Sequence, residues 1–501
     1  NGAPPRTVPP PRVRFDVVEP DESSAAAAED WLDEEDYMTA DRHQPPTNLE
    51  ERRADTNVDE EDESGPGAPL LTSLPAPSVL VAQTLSSSYS DDDTGNRPRS
   101  SLLGSFSNMA NSIIGAGIIG QPYALSQAGL VSGILLLCLL TLTVDWTIRL
   151  IVLNAKMSGA NSFQSTVAHC FGRPGLVAIS LAQWAFAFGG MVAFCVIVGD
   201  TVPHVLMAVW PGLKAWPVLW LLTERRAVIV VFVCGISYPL ALHRDIALLS
   251  KASTFALFSM LLILLTILFR GPSQPPSLRG PITEPLLHLS GLFPAVGIIS
   301  FAFVCHHNSL LIYGSLRTPT LDRFAIVTHA STLVSMLACL AMALAGYLSF
   351  GSKTQGNVLN NFPADDTMVN FARLAFALNM LATLPLEAFV CRDVMTEFFF
   401  PREAFHPGRH IVFTTLLVLS AVGVALLTCD LGVVFELVGA TSACALAYIL
   451  PPACFLRLAR TRRHGWEGWA AAACMVFGVV VMVGSVGLSV RKMLRGEGGA
   501  A

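Results

Sequence analysis

The stretch Asn108-Met-Ala-Asn111-Ser112-Ile-Ile-Gly115-Ala116-Gly117-Ile-Ile-Gly120-Gln-Pro122-Tyr123 decides how this chain folds. Three Gly and one Pro fall within eight residues in the middle of an apolar run. In a helix interior each Gly costs about 1 kcal/mol and Pro about 3, so a helix through Asn108 should unwind near Gly115. In hydrocarbon, unwound backbone survives only where protein or a wet cavity satisfies its N–H and C=O groups. The half-helix beyond the break offers amides and a positive dipole end to a carboxylate, and the loosened carbonyls before it suit a cation. A zwitterion fits that arrangement. Asn108, Asn111, Ser112 and Gly115 recur at spacings of three and four, which puts a polar stripe on one helical face. A packing face of small residues alone needs neither Pro122 nor two Asn.

The surroundings of this stretch are those of a membrane protein. The chain of 501 residues is 52% hydrophobic and 14% charged, against about 25% charged in soluble domains. Residues 1–100 hold 22 Asp and Glu against eight Arg, a net of −14, so the remainder is net +8 within an overall −6. The acidity is local and says nothing about nucleic acid, and no nucleic-acid partner is expected. Segment 1–100 is rich in Pro, Ser and acids, carries too few apolar side chains to offset its chain entropy, and reads as a disordered cytosolic tail with no leader peptide. It is either simply solvated or docks a cytosolic partner, with Ser86 to Ser90 as a phosphorylation candidate.

No Asp, Glu, Lys or Arg occurs from Ser100 to Val144, room for two spans of about 20 residues each. Charge-free runs follow at Pro174–Gly199, Ala227–Leu242, Ala252–Phe269, Pro285–Leu316, Phe324–Ser352, His410–Cys429, Leu437–Leu456 and Gly468–Val490. Phe371–Cys391, interrupted by Arg373 and Glu387, brings the expected total to eleven. With the N-terminus inside, the inner loops carry fourteen Lys and Arg and the outer loops and C-terminus nine, a weak positive-inside bias. The eleven Cys lie almost all within spans or at inner edges, and the outer loops have no Cys pair and no glycosylation sequon. That favours a vacuole-like internal membrane over the cell surface.

Five spans after the first break comes Gly291-Leu-Phe-Pro294-Ala-Val-Gly297-Ile-Ile-Ser300-Phe301-Ala302-Phe303-Val-Cys-His306-His307-Asn308-Ser309. Pro294, Gly297 and Ser300 weaken successive turns, and a polar run sits inside a charge-free stretch. Interrupted helices at matching places in two five-helix halves point to an inverted-repeat secondary transporter with its site at mid-membrane.

From about Ser101 to Arg491 the chain resembles the amino acid/auxin permease family, close to the sodium-coupled neutral amino acid transporters of animals and the vacuolar amino acid transporters of fungi. The motifs are Asn111-Ser-Ile-Ile-Gly115-Ala-Gly117-Ile-Ile-Gly120, Ser300-Phe-Ala-Phe-Val-Cys-His306-His307-Asn308-Ser309 and Thr383-Leu-Pro385-Leu-Glu387. The resemblance implies an all-α integral membrane protein with eleven transmembrane helices. These form a five-plus-five inverted repeat (LeuT-like, about 101–270 and 290–456) and one extra helix at 468–490, within a 101–491 domain followed by a short tail, 492–501. It also implies alternating-access symport of amino acids with Na⁺ or H⁺, and a Na⁺ site pairing Asn111 with Thr383 and carbonyls near the break, all hard oxygen ligands. Pro385 should free a further carbonyl near Leu381, and the bland alternative for Thr383 is a hydroxyl bonded back to its own helix.

For protons the carboxylate candidates are Asp200, Glu387 and Glu436. Glu387 leads because it follows Thr383 by four residues on the same face; the alternative is a pair with Arg392 or Arg373. Glu436 reads better as a structural anchor. His306 and His307 are secondary proton candidates, with Asn108 and Asn308 as secondary polar ones. The substrate pocket is expected at Ser112, Gly115, Ala116, Gly117, Ser300, Phe301 and Phe303. It has no charge beside the break, so neutral amino acids are favoured, although Gln121 clouds its polarity. No nucleophile, base and oxyanion set appears, and no Cys cluster with metal-ligand spacing, so neither an enzyme nor a cofactor is expected. The expected partners are the amino acid, the bilayer and a cytosolic partner of the tail, with a monomeric carrier. The rival reading is an amino acid sensor that signals through the tail.

Overall fold

The computed structural model describes residues 100–243, 251–282, 289–401, 403, 405–428, 430–459 and 465–494. The tail readings for 1–99 and 495–501 lie outside the described residues. The first helix starts at Ser101, whose hydroxyl accepts from the Gly104 N–H at 3.1 Å and so caps a donor that a helix start leaves bare. This helix, α1 (Leu102–Ile114), stops at Gly115, where ψ is −154°. A 3-10 turn, Ala116–Gly120, leads into α2 (Gln121–Ala128). Pro122 falls in the first turn of α2, where its missing N–H is harmless. The two pieces are bent by 41°. Gly129, at φ 90°, then turns the chain directly into α3 (Leu130–Ser158).

The remaining helices are α4 (Phe163–Val209), α5 (Arg225–Leu242), α6 (Lys251–Arg270), α7 (Leu289–Phe303), α8 (Ser309–Ser315), α9 (Leu321–Phe350), α10 (Thr367–Phe399), α11 (Pro407–Leu427), α12 (Leu431–Leu458) and α13 (Trp466–Leu494). Among the described residues nine helices are long and apolar enough to cross a membrane, or up to ten with the bent α1–α2 pair as one span. The expected eleven also counts Ala252–Phe269, and its apolar helix, Ala256–Arg270, is shorter than the others. The packing has the polarity of a membrane protein. On α3, Leu135, Leu139 and Leu142 form an exposed stripe while Thr141, Asp145 and Thr147 are buried. A soluble fold would not leave such a face uncovered.

One expectation is corrected here. Pro294, Gly297 and Ser300 do not interrupt their helix: α7 runs unbroken to Phe303, and the chain leaves helical geometry at Val304–Cys305 before a 3-10 turn, His306–Asn308. Gly297 serves packing instead. A Cβ there would lie 2.6 Å from the Glu436 carbonyl oxygen, and one at Gly439 would strike the Gly297 carbonyl. These two glycines therefore set how closely α7 approaches α12, which is π-helical at Gly439–Ala443.

The crossing yields a stability prediction. Gly439→Ala should destabilise the protein by about 1–3 kcal/mol or more, as overpacking does, and lower the melting temperature of the detergent-solubilised full chain. Gly423→Ala on α11, where an added Cβ meets nothing within 4 Å, should not.

Candidate functional site

A cavity of about 120 Å³ opens at the α1–α2 break. The break contributes Asn111, Ser112, Gly115, Ala116 and Gly117. The α7–α8 junction contributes Phe301, Ala302, His307 and Asn308; α10 contributes Asn379, Thr383 and Glu387; α4 contributes Phe186, Gly190 and Phe194. The first internal bond after the break runs from the Ile118 N–H to the Gly115 carbonyl at 3.2 Å. The amides of Ala116 and Gly117 precede it and are those a helical start leaves without an internal acceptor. The break thus presents donors on one side and the last carbonyls of α1 on the other.

The two glycines of the break differ. At Gly115 an added Cβ would have no neighbour nearer than the Asn111 carbonyl oxygen at 3.9 Å, whereas at Gly117 it would lie 2.5 Å from Ala302. Gly115 therefore borders free space, and Gly117 lets the broken segment lie against α7. Phe301 stacks on Phe435 with centroids 4.6 Å apart and tilts against Phe186 at 5.6 Å, giving the cavity an aromatic wall.

Of the expected substrate residues, Ser112, Gly115, Ala116, Gly117 and Phe301 meet in this cavity, and Ser300 and Phe303 do not. Ser300 is fully buried, with its hydroxyl 3.1 Å from that of Tyr448, and Phe303 is buried outside the wall. Ala302 and Val304 line the wall in their place. Gln121 leaves the cavity polarity unaffected: its side-chain amide donates to the Gly117 carbonyl at 3.1 Å.

The ion candidates are also sorted. Asn111, Thr383 and Glu387 all reach the cavity. Thr383 does bond back to its own helix, donating to the Asn379 carbonyl at 2.7 Å and lying 3.2 Å from Asn379 Oδ1. Its oxygen keeps lone pairs for a cation. The carbonyl freed by Pro385 is not a spare ligand, because the Leu381 oxygen accepts from the Ser237 hydroxyl of α5 at 2.8 Å. Glu387 has neither hydrogen bond nor ion pair among the described residues. The arginines considered for it are occupied elsewhere. Arg373 donates to the Leu359 and Phe362 carbonyls and to Asn370 Oδ1, each at 2.8 Å, and Arg392 to Thr414 at 2.7 Å and the Ala241 carbonyl at 3.2 Å.

Among the secondary candidates, His307 and Asn308 line the cavity, with His307 Nδ1 and Asn308 Oδ1 buried and without a partner among the described residues. His306 points elsewhere, its Nε2 lying 2.8 Å from the Thr147 hydroxyl. Asn108 is buried outside the wall. Asp200 is also distant from the cavity and forms an ion pair with Arg225 at 2.9 Å, with the Asn360 amide at 3.2 Å.

The sequence reading missed Asn379, although it precedes Thr383 by one turn and so shares its face. It also missed Ser237, an inconspicuous serine in an apolar run, and Asp145, which binds His329 at 2.9 Å, Thr332 at 3.1 Å and Arg149 at 3.1 Å. Among the described residues no group of three or more His, Cys, Asp or Glu is placed to hold a metal ion.

Residues 98–491 match the family described as transmembrane amino acid transporter protein. The chain is 40% identical over 415 residues to vacuolar amino acid transporter 2 of Saccharomyces cerevisiae, covering 81% of this chain and 86% of that protein. It is 37% identical over 394 residues to a Danio rerio protein of the sodium-coupled neutral amino acid transporter 11 type (79% and 87% covered). To the Homo sapiens protein of that type it is 34% identical over 361 residues (72% and 87%).

The contrast between the two glycines can be tested directly. Gly115→Val should keep the wild-type melting temperature but cut amino acid uptake into proteoliposomes at least tenfold, equivalent to about 1.4 kcal/mol, because its side chain fills the cavity. Gly117→Val should instead lower the melting temperature.

Proposed function

The chain belongs to the transmembrane amino acid transporter family, and from that premise we propose that it moves neutral amino acids by alternating access through the cavity at the α1–α2 break, together with a proton carried by Glu387. The observation that carries this reading is the Glu387 carboxyl on the cavity wall with no cationic partner among the described residues. A carboxylate charge in so apolar a place must be compensated. A proton, a metal ion or the ammonium group of the substrate can do so. If the compensating proton enters and leaves with the substrate, the two fluxes are coupled.

In the same reading the substrate carboxylate meets the Ala116 and Gly117 amides, its ammonium group lies toward the last carbonyls of α1, and its side chain lies toward Phe186, Phe301, His307 and Asn308. The two broken spans would be equivalent members of halves 101–270 and 290–456, with helix 468–490 outside the repeat. A vacuole-type internal membrane fits both the composition and the yeast relative, and an N-terminus on the cytosolic side fits the charge bias of the loops.

Na⁺ coupling is the second reading, favoured by the side-chain oxygens of Asn111, Asn379 and Thr383 among the cavity-lining residues, a hard-ligand set. Proteoliposomes with imposed pH or Na⁺ gradients and a panel of neutral, acidic and basic amino acids distinguish the two. An inward proton gradient should concentrate neutral amino acids in wild type. Glu387→Gln should lose that accumulation, by tenfold or more, while still exchanging labelled for unlabelled substrate. Accumulation driven by Na⁺, unaffected in Glu387→Gln and abolished in Thr383→Val, would overturn the proton assignment.

A further inference from the structure

We propose that Ser237 of α5 is a positioning residue for the cation-coupling wall of the cavity, holding the Asn379–Thr383 turn of α10 by replacing the helix bond that Pro385 cannot make. Pro385 lacks an N–H, so within α10 the Leu381 carbonyl has lost its donor four residues on. Left bare in a buried position, that oxygen would be costly, and Asn379 and Thr383, the cavity-lining residues on either side of it, would sit on an unsupported turn. The Ser237 hydroxyl, fully buried, donates to it at 2.8 Å.

The local form of α5 makes this reach possible. Ile229–Ser237 is π-helical, a wider winding that often marks functional places in helices and that here turns Ser237 toward α10. Beside it the Tyr238 hydroxyl lies 2.9 Å from that of Thr415 on α11, so α10 and α11 are both gripped at one level. The serine touches neither substrate nor ion and acts through the turn it holds. This inference rests on the reading of Thr383 and Glu387 as the coupling wall.

The decisive comparison uses the full chain with Ser237→Ala, Pro385→Ala and the double variant. Ser237→Ala should raise the half-saturating concentration of the coupling ion about tenfold, within the range for loss of one buried bond, with little change in the rate at saturating ion. Pro385→Ala restores an N–H to Leu381, so adding Ser237→Ala in that background should have almost no effect. A merely structural serine would not give this non-additive result. Equal ion affinity in Ser237→Ala and wild type, or an equal loss in both backgrounds, overturns the proposal.

Amide hydrogen exchange across 379–390 of the purified chain provides a readout independent of flux. Exchange should quicken in Ser237→Ala and return to the wild-type rate in the double variant; unchanged exchange overturns the proposal. If wild type shows neither proton-driven nor Na⁺-driven uptake, the coupling reading fails, and the exchange comparison still decides the Ser237 link.

Discussion

In a hydrocarbon solvent every main-chain polar group must find a partner inside the protein, and the whole arrangement follows from how this chain meets that demand where its helices fail. Gly115 ends a helix in mid-course, Pro385 removes a donor, and the α9–α10 connection has little regular helix to pair its carbonyls. Each defect is served by a nearby polar side chain. Gln121 donates to the Gly117 carbonyl, Ser237 to Leu381, Asn154 to Pro451 at 2.8 Å, and the buried Arg373 to Leu359 and Phe362. What is left facing the cavity is the first amides after Gly115, the Asn111 and Ser112 side chains, His307 and Asn308, and part of the α10 wall.

Two other buried carboxylates are paired, in contrast to Glu387. Asp200 is paired with Arg225 and Asn360 beyond the C-terminal end of α9, and Asp145 with Arg149, His329 and Thr332 near the N-terminal end of that helix. From His329 to Phe350 α9 rises about 30 Å, so these two networks pin the bundle near its opposite ends. Glu387 instead lies beside Gly190 of α4 on the cavity wall, where an added Cβ would come into ordinary contact with its side chain at 3.6 Å. The space beside the carboxyl is kept open by the absence of a side chain on α4.

Part of this was legible in the sequence because its causes are local. The cost of Gly and Pro in a helix does not depend on what surrounds them, and the first break falls at Gly115 as its composition requires. The second break was misplaced for the opposite reason. Gly297 looks like a weak point in sequence, yet its missing side chain serves the approach of α12, which only tertiary structure reveals, and the chain parts at Val304–Cys305 instead. Ser300 and Phe303 left the expected site with that shift. Asp200 was visible as an intramembrane acid, but its partner lies 25 residues away in another helix. Asn379 was within reach of the same i, i+4 argument that selected Glu387. Ser237 was not, because its direction depends on a π-helical register that no periodicity announces.

The two interruptions are chemically unequal, and this asymmetry gives the cavity a direction. At the first, the chain offers main-chain donors, which are fixed in place and carry no charge to compensate. At the second, it offers side chains, His307 and Asn308, whose buried polar atoms keep unused hydrogen-bonding capacity. A ligand with one invariant end and one variable end is matched by this division. Main chain can hold the group common to all amino acids because substitution cannot alter it, and the side chains opposite can differ between relatives without disturbing that grip. On the reading proposed here, coupling sits on a third element, α10, so that ion, substrate backbone and substrate side chain are each held by a different span. A shift of any one span against the others then changes all three affinities together, which is the physical requirement for coupled transport.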